Sequence, residues 1–184
     1  VLITIAKVPA FIATLATLTA LRGIALLLTN SYPISINNSA FTQIGVGKIG
    51  PVPIPVIIMA VTFGIGYVIL HRLKIGRRIY AVGGNREAAR LSGIRVSRVL
   101  LFAFTFAGLC AGVASVILTA KLSSGQPAGA VGFELDVIAA VVVGGTSLFG
   151  GRCRLAGTFL GALVIAVLGN GLTLMNVPFY WQQI

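Results

Sequence analysis

"VLLFAFTFAGLCAGVASVILTA", Val99–Ala120, carries no charged residue and is bounded by Arg98 and Lys121. An α-helix needs roughly 20 apolar residues to cross the hydrocarbon core of a bilayer, so this stretch sets the fold class as helical and membrane-embedded. Working outward, "LAGTFLGALVIAVLGNGLTLM" (Leu155–Met175) is a second such run. "VIIMAVTFGIGYVILH" (Val56–His71) is a third when Pro53 and Ile54 are counted in, and "FIATLATLTALRGIALLLT" (Phe11–Thr29) is a fourth. Arg22 lies inside the last of these. Its cost of about 2.5–3.5 kcal/mol near a helix centre is offset by roughly nine Phe, Ile and Leu residues at about 0.3–0.6 kcal/mol each, so the helix is expected to insert.

Composition agrees. Of 184 residues 57% are hydrophobic, only 9% are charged and 23 are glycine, and the mean hydropathy is +1.02. Soluble domains carry about a quarter charged residues, so a soluble globular fold is excluded in favour of an all-α, polytopic transmembrane bundle. The chain starts at Val1 without a methionine and stops at Ile184 in mid-pattern, and so reads as part of a longer protein. No charged segment followed by an A-x-A site precedes the first span, and no removable signal peptide is expected. Cys110 sits inside an apolar run and Cys153 between two arginines. Neither has a partner at disulfide or metal spacing, and both read as ordinary small residues.

Charge fixes sidedness. Between the spans at Val56–His71 and Val99–Ala120, the cations Arg72, Lys74, Arg77, Arg78, Arg86, Arg90, Arg95 and Arg98 face one acid, Glu87. Short loops rich in Lys and Arg stay in the cytoplasm, which places this segment inside. The Pro-, Gly-, Asn- and Ser-rich loop from Asn30 to Pro55 and the stretch around Gln126 then lie outside, and Arg152 and Arg154 inside. The net charge of +11 is mostly topology, not a nucleic-acid-binding patch.

This map requires a crossing between Leu122 and Gly151. "FELDVIAAVVVGGTSLFGGR" (Phe133–Arg152) offers about ten helical-looking residues before Gly144-Gly145, too few for one straight span. Broken helices at membrane depth are tolerated where they are buried in protein or line a watery cavity, and often mark a transport path; a tilted, kinked structural span is the alternative. Glu134 and Asp136 open this helix at the outer surface, and with Gln126 and Asn170 they are the candidates for lining a solute path. Gly108-x-x-x-Gly112 and Gly157-x-x-x-Gly161 put small residues on one helix face, which suits close packing of spans.

Within the basic segment, "GGNREAARLSGIRVSR" (Gly83–Arg98) holds the signals of a short capped helix. Asn85 is an N-cap, Glu87 and Arg90 complement the dipole in the first and last turns, and Gly93 fits the C′ position, giving a helix from Arg86 to Ser92. Isolated helices below roughly 12–15 residues are marginal in water, so something else holds it. Anionic lipid head groups are one solution. The other is a protein partner, with Ala88, Ala89 and Leu91 as apolar contacts and Arg86 and Arg90 as polar ones.

"GRRIYAVGGNREAARLSGIRVSR", "LSSGQPAGAVGFELDVIAAVVVGGTSLFGG" and "NGLTL" closely resemble the permease subunits of bacterial ATP-binding-cassette importers for monosaccharides of the ribose and xylose type. The resemblance runs through essentially the whole chain. It implies that the "GGN-x-x-AARLSGI" segment is a coupling helix fitting a groove on the ATPase subunit, which marks Gly84, Asn85, Ala88, Ala89, Arg90, Leu91, Ser92, Gly93 and Ile94. It further implies a homodimeric permease in the bacterial inner membrane, two ATP-binding subunits, and a periplasmic sugar-binding protein that delivers substrate. Against a complete member of that family this chain, a partial single permease domain over residues 1–184, lacks several N-terminal spans and a last span beginning near Tyr180.

No cofactor is expected. "GVGKIG" (Gly45–Gly50) satisfies G-x-G-x-x-G by letter, but Pro51-Val52-Pro53 follows instead of a helix and no acid lies about twenty residues on. No G-x-x-x-x-G-K-[ST] occurs, so ATP is left to a partner. An intramembrane enzyme would need a positioned base, yet His71 is the one histidine and sits at a span boundary. An ion-coupled transporter would carry acids or His within its spans. Within the importer class, the alternative is a permease for branched-chain amino acids.

Overall fold

In the computed structural model, residues 10–148 and 150–178 are described; the span expected to begin near Tyr180 lies outside them. The chain forms two compact units, Val1–Ile79 with Gly93–Gly129, and Tyr80–Ser92 with Ala130–Ile184.

In the first unit α1 (Ala10–Leu28) is the helix expected around Arg22, with its apolar stretch running from Ile12 to Leu28. The expected outer loop has structure of its own: β1 (Ile34–Ser35), α2 (Ser39–Val46), and the hairpin of β2 (Lys48–Ile49) with β3 (Val52–Pro53). Asn38 caps α2 by accepting hydrogen bonds from the amides of Ala40 and Phe41. Gly45 packs directly on the backbone of Ala120 and Lys121, where any Cβ would collide. The "GVGKIG" stretch is therefore the end of one helix plus one hairpin arm, not a strand–turn–helix.

α3 (Ile54–His71) starts behind Pro53, with proline in its first turn where a missing N–H costs nothing. α6 (Val96–Leu122) has 27 residues, about 40 Å at 1.5 Å per residue, and is longer at both ends than its apolar run. It ends where Ser123 turns left-handed at φ +50°. From there β4 (Ser124–Gly125) pairs antiparallel with β1, Ile34 opposite Gly125, and the Ile36 amide donates to the Ser123 carbonyl at 2.9 Å. The segment after α1 and the segment after α6 thus share one end of this unit, as the charge map requires of two outer segments.

α4 (Lys74–Gly84) was not expected from the sequence, whose basic residues read as a loop. Its cations Lys74, Arg77 and Arg78 are exposed, while Gly76 and Val82 are buried. The second unit holds α5 (Arg86–Leu91), α7 (Phe133–Val143) and α8 (Leu155–Leu174). Among the described residues α3, α6 and α8 are long and apolar enough to cross a membrane.

α7 breaks where the glycines predicted it. Gly144 ends the helix and Gly145 takes φ +76°, a conformation that costs a side-chain-bearing residue. α7 and α8 then form an antiparallel hairpin in which Gly144 meets the Gly157 carbonyl and Gly161 meets the Ala140 carbonyl. The Gly157-x-x-x-Gly161 face is thus used. Gly108 and Gly112 instead face open space.

A valine at Gly161 has to push the Ala140 backbone away, and overpacking of this kind costs about 1–3 kcal/mol or more. Gly161→Val in the full-length protein is expected to lower the melting temperature in detergent by several degrees. Gly169→Val, on the same helix but with open space beside it, is expected to leave it nearly unchanged. Equal melting temperatures for the two variants would show that the hairpin does not depend on this contact.

Candidate docking helix and solute-path hairpin

α5 is held by its own caps. The Asn85 side-chain oxygen accepts from the amides of Glu87 and Ala88, both at 3.0 Å, with Asn85 in extended backbone. At the other end the Ser92 hydroxyl donates to the Ala88 carbonyl at 2.9 Å, and Gly93 takes φ +77°. The helix covers Arg86–Leu91, with Ser92 as the cap itself.

The faces of this helix differ from the sequence expectation in one residue. Ala89 is only 4% exposed, so it seats α5 on the chain and is not free to meet a partner. Leu91 is 82% exposed, and Arg86, Ala88 and Arg90 are exposed as well.

Gly84, just before the cap, belongs to a second contact that sequence reasoning missed. The last turn of α4 lies against the loop between α7 and α8, with Gly83 facing Gly150 and Gly151. On the same elements the Tyr80 hydroxyl lies 3.5 Å from the Cys153 carbonyl oxygen. Burial, with Cys153 beside it, raises the Tyr80 pKa above its usual value, so the phenol stays a donor. A 3.6-residue spacing of Ile75, Ile79 and Val82 opposite Lys74, Arg77 and Arg78 was the available signal for α4. The loop that carries Arg152 thus comes beside the end of α4.

Glu134 and Asp136 share the first turn of α7, behind Gly132 at φ +86°, with no side-chain cap. Glu134 is half-buried and Asp136 exposed. α7 has 11 residues, about 16 Å, against about 30 Å for the 20 of α8. With Ala140 opposite Gly161, antiparallel register puts Asp136 level with Ile165, near the middle of α8. In this register the acids open α7 level with the middle of α8 and not with its end. Asn170 lies exposed toward the far end of α8. Gln126 belongs to the other unit, exposed in the turn after β4, where its carbonyl accepts from the Gly129 amide. That unit also has an open groove of about 600 Å³ lined by Asn37, Asn38, Thr42, Gln43 and Ser123, amides and hydroxyls without a charge. Among the described residues no group of His, Cys, Asp and Glu has the arrangement of a metal site.

Residues 1–184 match the family described as the permease component of branched-chain amino acid transport systems. The chain belongs to that permease family. The permease is 48% identical over 182 residues to the ribose import permease protein RbsC of Haemophilus influenzae, covering 97% of this chain and 56% of that protein. It is 47% identical to RbsC of Bacillus subtilis, covering 100% and 58%. It is 35% identical to the xylose transport system permease protein XylH of Escherichia coli, covering 97% and 61%. The chain thus spans a little over half the length of these relatives. No solved structure matches it. With its long apolar helices the permease is a multi-pass membrane protein.

Removing the Asn85 cap costs a helix about 1 kcal/mol, or roughly a fivefold shift in the local opening equilibrium. In Asn85→Ala the amides of Glu87 and Ala88 are expected to exchange hydrogen about fivefold faster, read by exchange mass spectrometry on full-length protein. Unchanged exchange would mean that α5 is held from elsewhere.

Proposed function

We propose that this chain is part of the membrane-spanning subunit of an ATP-driven importer that carries a monosaccharide of the ribose or xylose kind across the bacterial inner membrane. The observation that carries the proposal is 46–48% identity with ribose import permeases over nearly the whole chain. The subunit is a transporter part and not an enzyme: ATP is hydrolysed on a separate ATP-binding cassette subunit, and a periplasmic sugar-binding protein presents the solute. Two copies of the permease form the pathway, with residues 1–184 as one partial domain and lipid around it.

In this reading α5 is the coupling helix. Leu91 and Ala88 enter the groove of the ATP-binding subunit, Arg86 and Arg90 meet its polar rim, and Ala89, Ser92, Gly93 and Ile94 hold the shape of the helix and its exit. Gly84 and Asn85 hold its entry. A neutral polyhydroxylated solute needs hydrogen-bonding groups without a deep trap, and Gln126, Glu134, Asp136 and Asn170 supply them along the path. The family description favours a second reading, import of branched-chain amino acids. The ribose and xylose permeases among the relatives weigh against it.

The deciding experiment is uptake by full-length permease in proteoliposomes with its ATP-binding subunit and receptor, ribose and xylose against Leu, Ile and Val. ATP-dependent uptake of a sugar is expected; uptake of the amino acids alone would reverse the assignment. In the same system Leu91→Asp places a charge in an apolar groove, which costs several kcal/mol when unpaired. It is expected to lose both co-purification of the ATP-binding subunit and uptake. If it keeps both, α5 is a surface loop held by lipid.

The charge map has its own check. A cysteine at Ser39, in the first turn of α2, should label from the periplasm, and one at Ser97, in the first turn of α6, from the cytoplasm. Labelling of both from one side would overturn the orientation.

A further inference from the structure

The last turn of α4 and the loop between α7 and α8 meet backbone to backbone. A Cβ on Gly83 would lie 2.9 Å from the Gly151 amide nitrogen, and one on Gly150 would lie 2.5 Å from the Gly83 carbonyl oxygen. One on Gly151 would lie 3.0 Å from the Gly84 Cα. Gly150 and Gly151 both have positive φ, +89° and +77°, so the loop conformation itself also favours glycine. Four glycines therefore form a joint with no side chain between its halves.

The position of this joint gives it a meaning. Asn85, the cap of α5, directly follows Gly84, and Arg154, the cap residue of α8, lies three residues after Gly151. On the other side of the loop, Gly144 seats the end of α7 on Gly157. The joint thus lies between the helix with the exposed Leu91 and the hairpin with Glu134 and Asp136. Packed backbone is nearly incompressible, whereas a flexible side chain at the same place would take up part of any displacement by changing rotamer.

We propose that the Gly83-Gly84 and Gly150-Gly151 contact is the mechanical joint through which displacement of α5 by its ATP-binding partner moves the α7–α8 hairpin. The proposal rests on the reading of α5 as the coupling helix. These glycines are positioning residues: they touch neither solute nor ATP, and their substitution uncouples the two sites without removing either.

Transmission between two sites is read from their coupling and not from position. Full-length permease is reconstituted with its ATP-binding subunit and solute-loaded receptor, and three variants are compared with the unchanged protein. Gly83→Ala inserts a methyl into the joint without a φ penalty, since Gly83 is helical. Gly150→Ala inserts one from the other side. Gly145→Ala is the control for strain, with φ +76° in the same loop but nothing within 4 Å. Gly83→Ala and Gly150→Ala are expected to co-purify with the ATP-binding subunit to within about twofold, while receptor-stimulated ATP hydrolysis and uptake both fall by at least roughly fivefold, the low end of ordinary site-to-site coupling. Gly145→Ala is expected to keep both within about twofold on the same scale. Full stimulation and uptake in Gly83→Ala would overturn the proposal, and so would loss of ATP-binding-subunit association in step with uptake, which would make the joint a support for the fold alone. A complete absence of ATP-dependent uptake in the unchanged protein would instead count against the importer reading.

Discussion

Backbone packed on backbone, with no side chain between, is the interaction on which each unit of this chain rests. In the first unit Gly45 of α2 lies against the main chain of Ala120 and Lys121 at the end of α6. In the second, Gly144, Gly157 and Gly161 bring α7 and α8 together. The physical reason is the solvent. Lipid tails are as apolar as leucine, so helices gain no hydrophobic energy by meeting one another, and close van der Waals approach through small residues has to supply the attraction. Among the described residues the buried apolar side chains are all alanine or valine.

Close approach also explains the half-helix. α7 ends at Gly144, where a Cβ would meet the Gly157 backbone, and positive φ at Gly145 turns the chain into a loop. The 11 residues of α7 bring its first turn level with the middle of α8, and irregular backbone at the depth of a span's middle is tolerated only where protein or water in a cavity covers it. Carboxylates at that depth are tolerated on the same terms. Length, break and acids therefore belong to a single constraint: if this hairpin sits in a bilayer, its first turn faces a polar interior.

The cationic segment follows another logic. The exposed cations of α4 and α5 satisfy the rule that keeps basic loops inside, while buried Gly76, Val82 and Ala89 fasten these helices to the chain. One stretch of sequence thereby carries the cations and presents Leu91 on a capped helix. Caps, not length, keep α5 formed, since six residues have too few internal hydrogen bonds to hold a helix alone.

The membrane class, the spans at Ile54–His71, Val96–Leu122 and Leu155–Leu174, and the capped helix after Asn85 could be read directly from the amino acids. These features depend on local signals: runs of apolar residues, the capping chemistry of Asn and Gly, and counts of charge. The sequence also marked Gly144-Gly145 as a break, since glycine pairs interrupt helices wherever they stand. It could not say that Gly157 and Gly161 would be packed while Gly108 and Gly112 faced open space, because the same small-residue spacing serves any neighbour and the neighbour is a tertiary fact. Nor could it bring Gly83 to Gly150 and Gly151, or turn Ala89 inward and Leu91 outward: these depend on which distant backbone arrives at a given turn, and only the folded chain decides that.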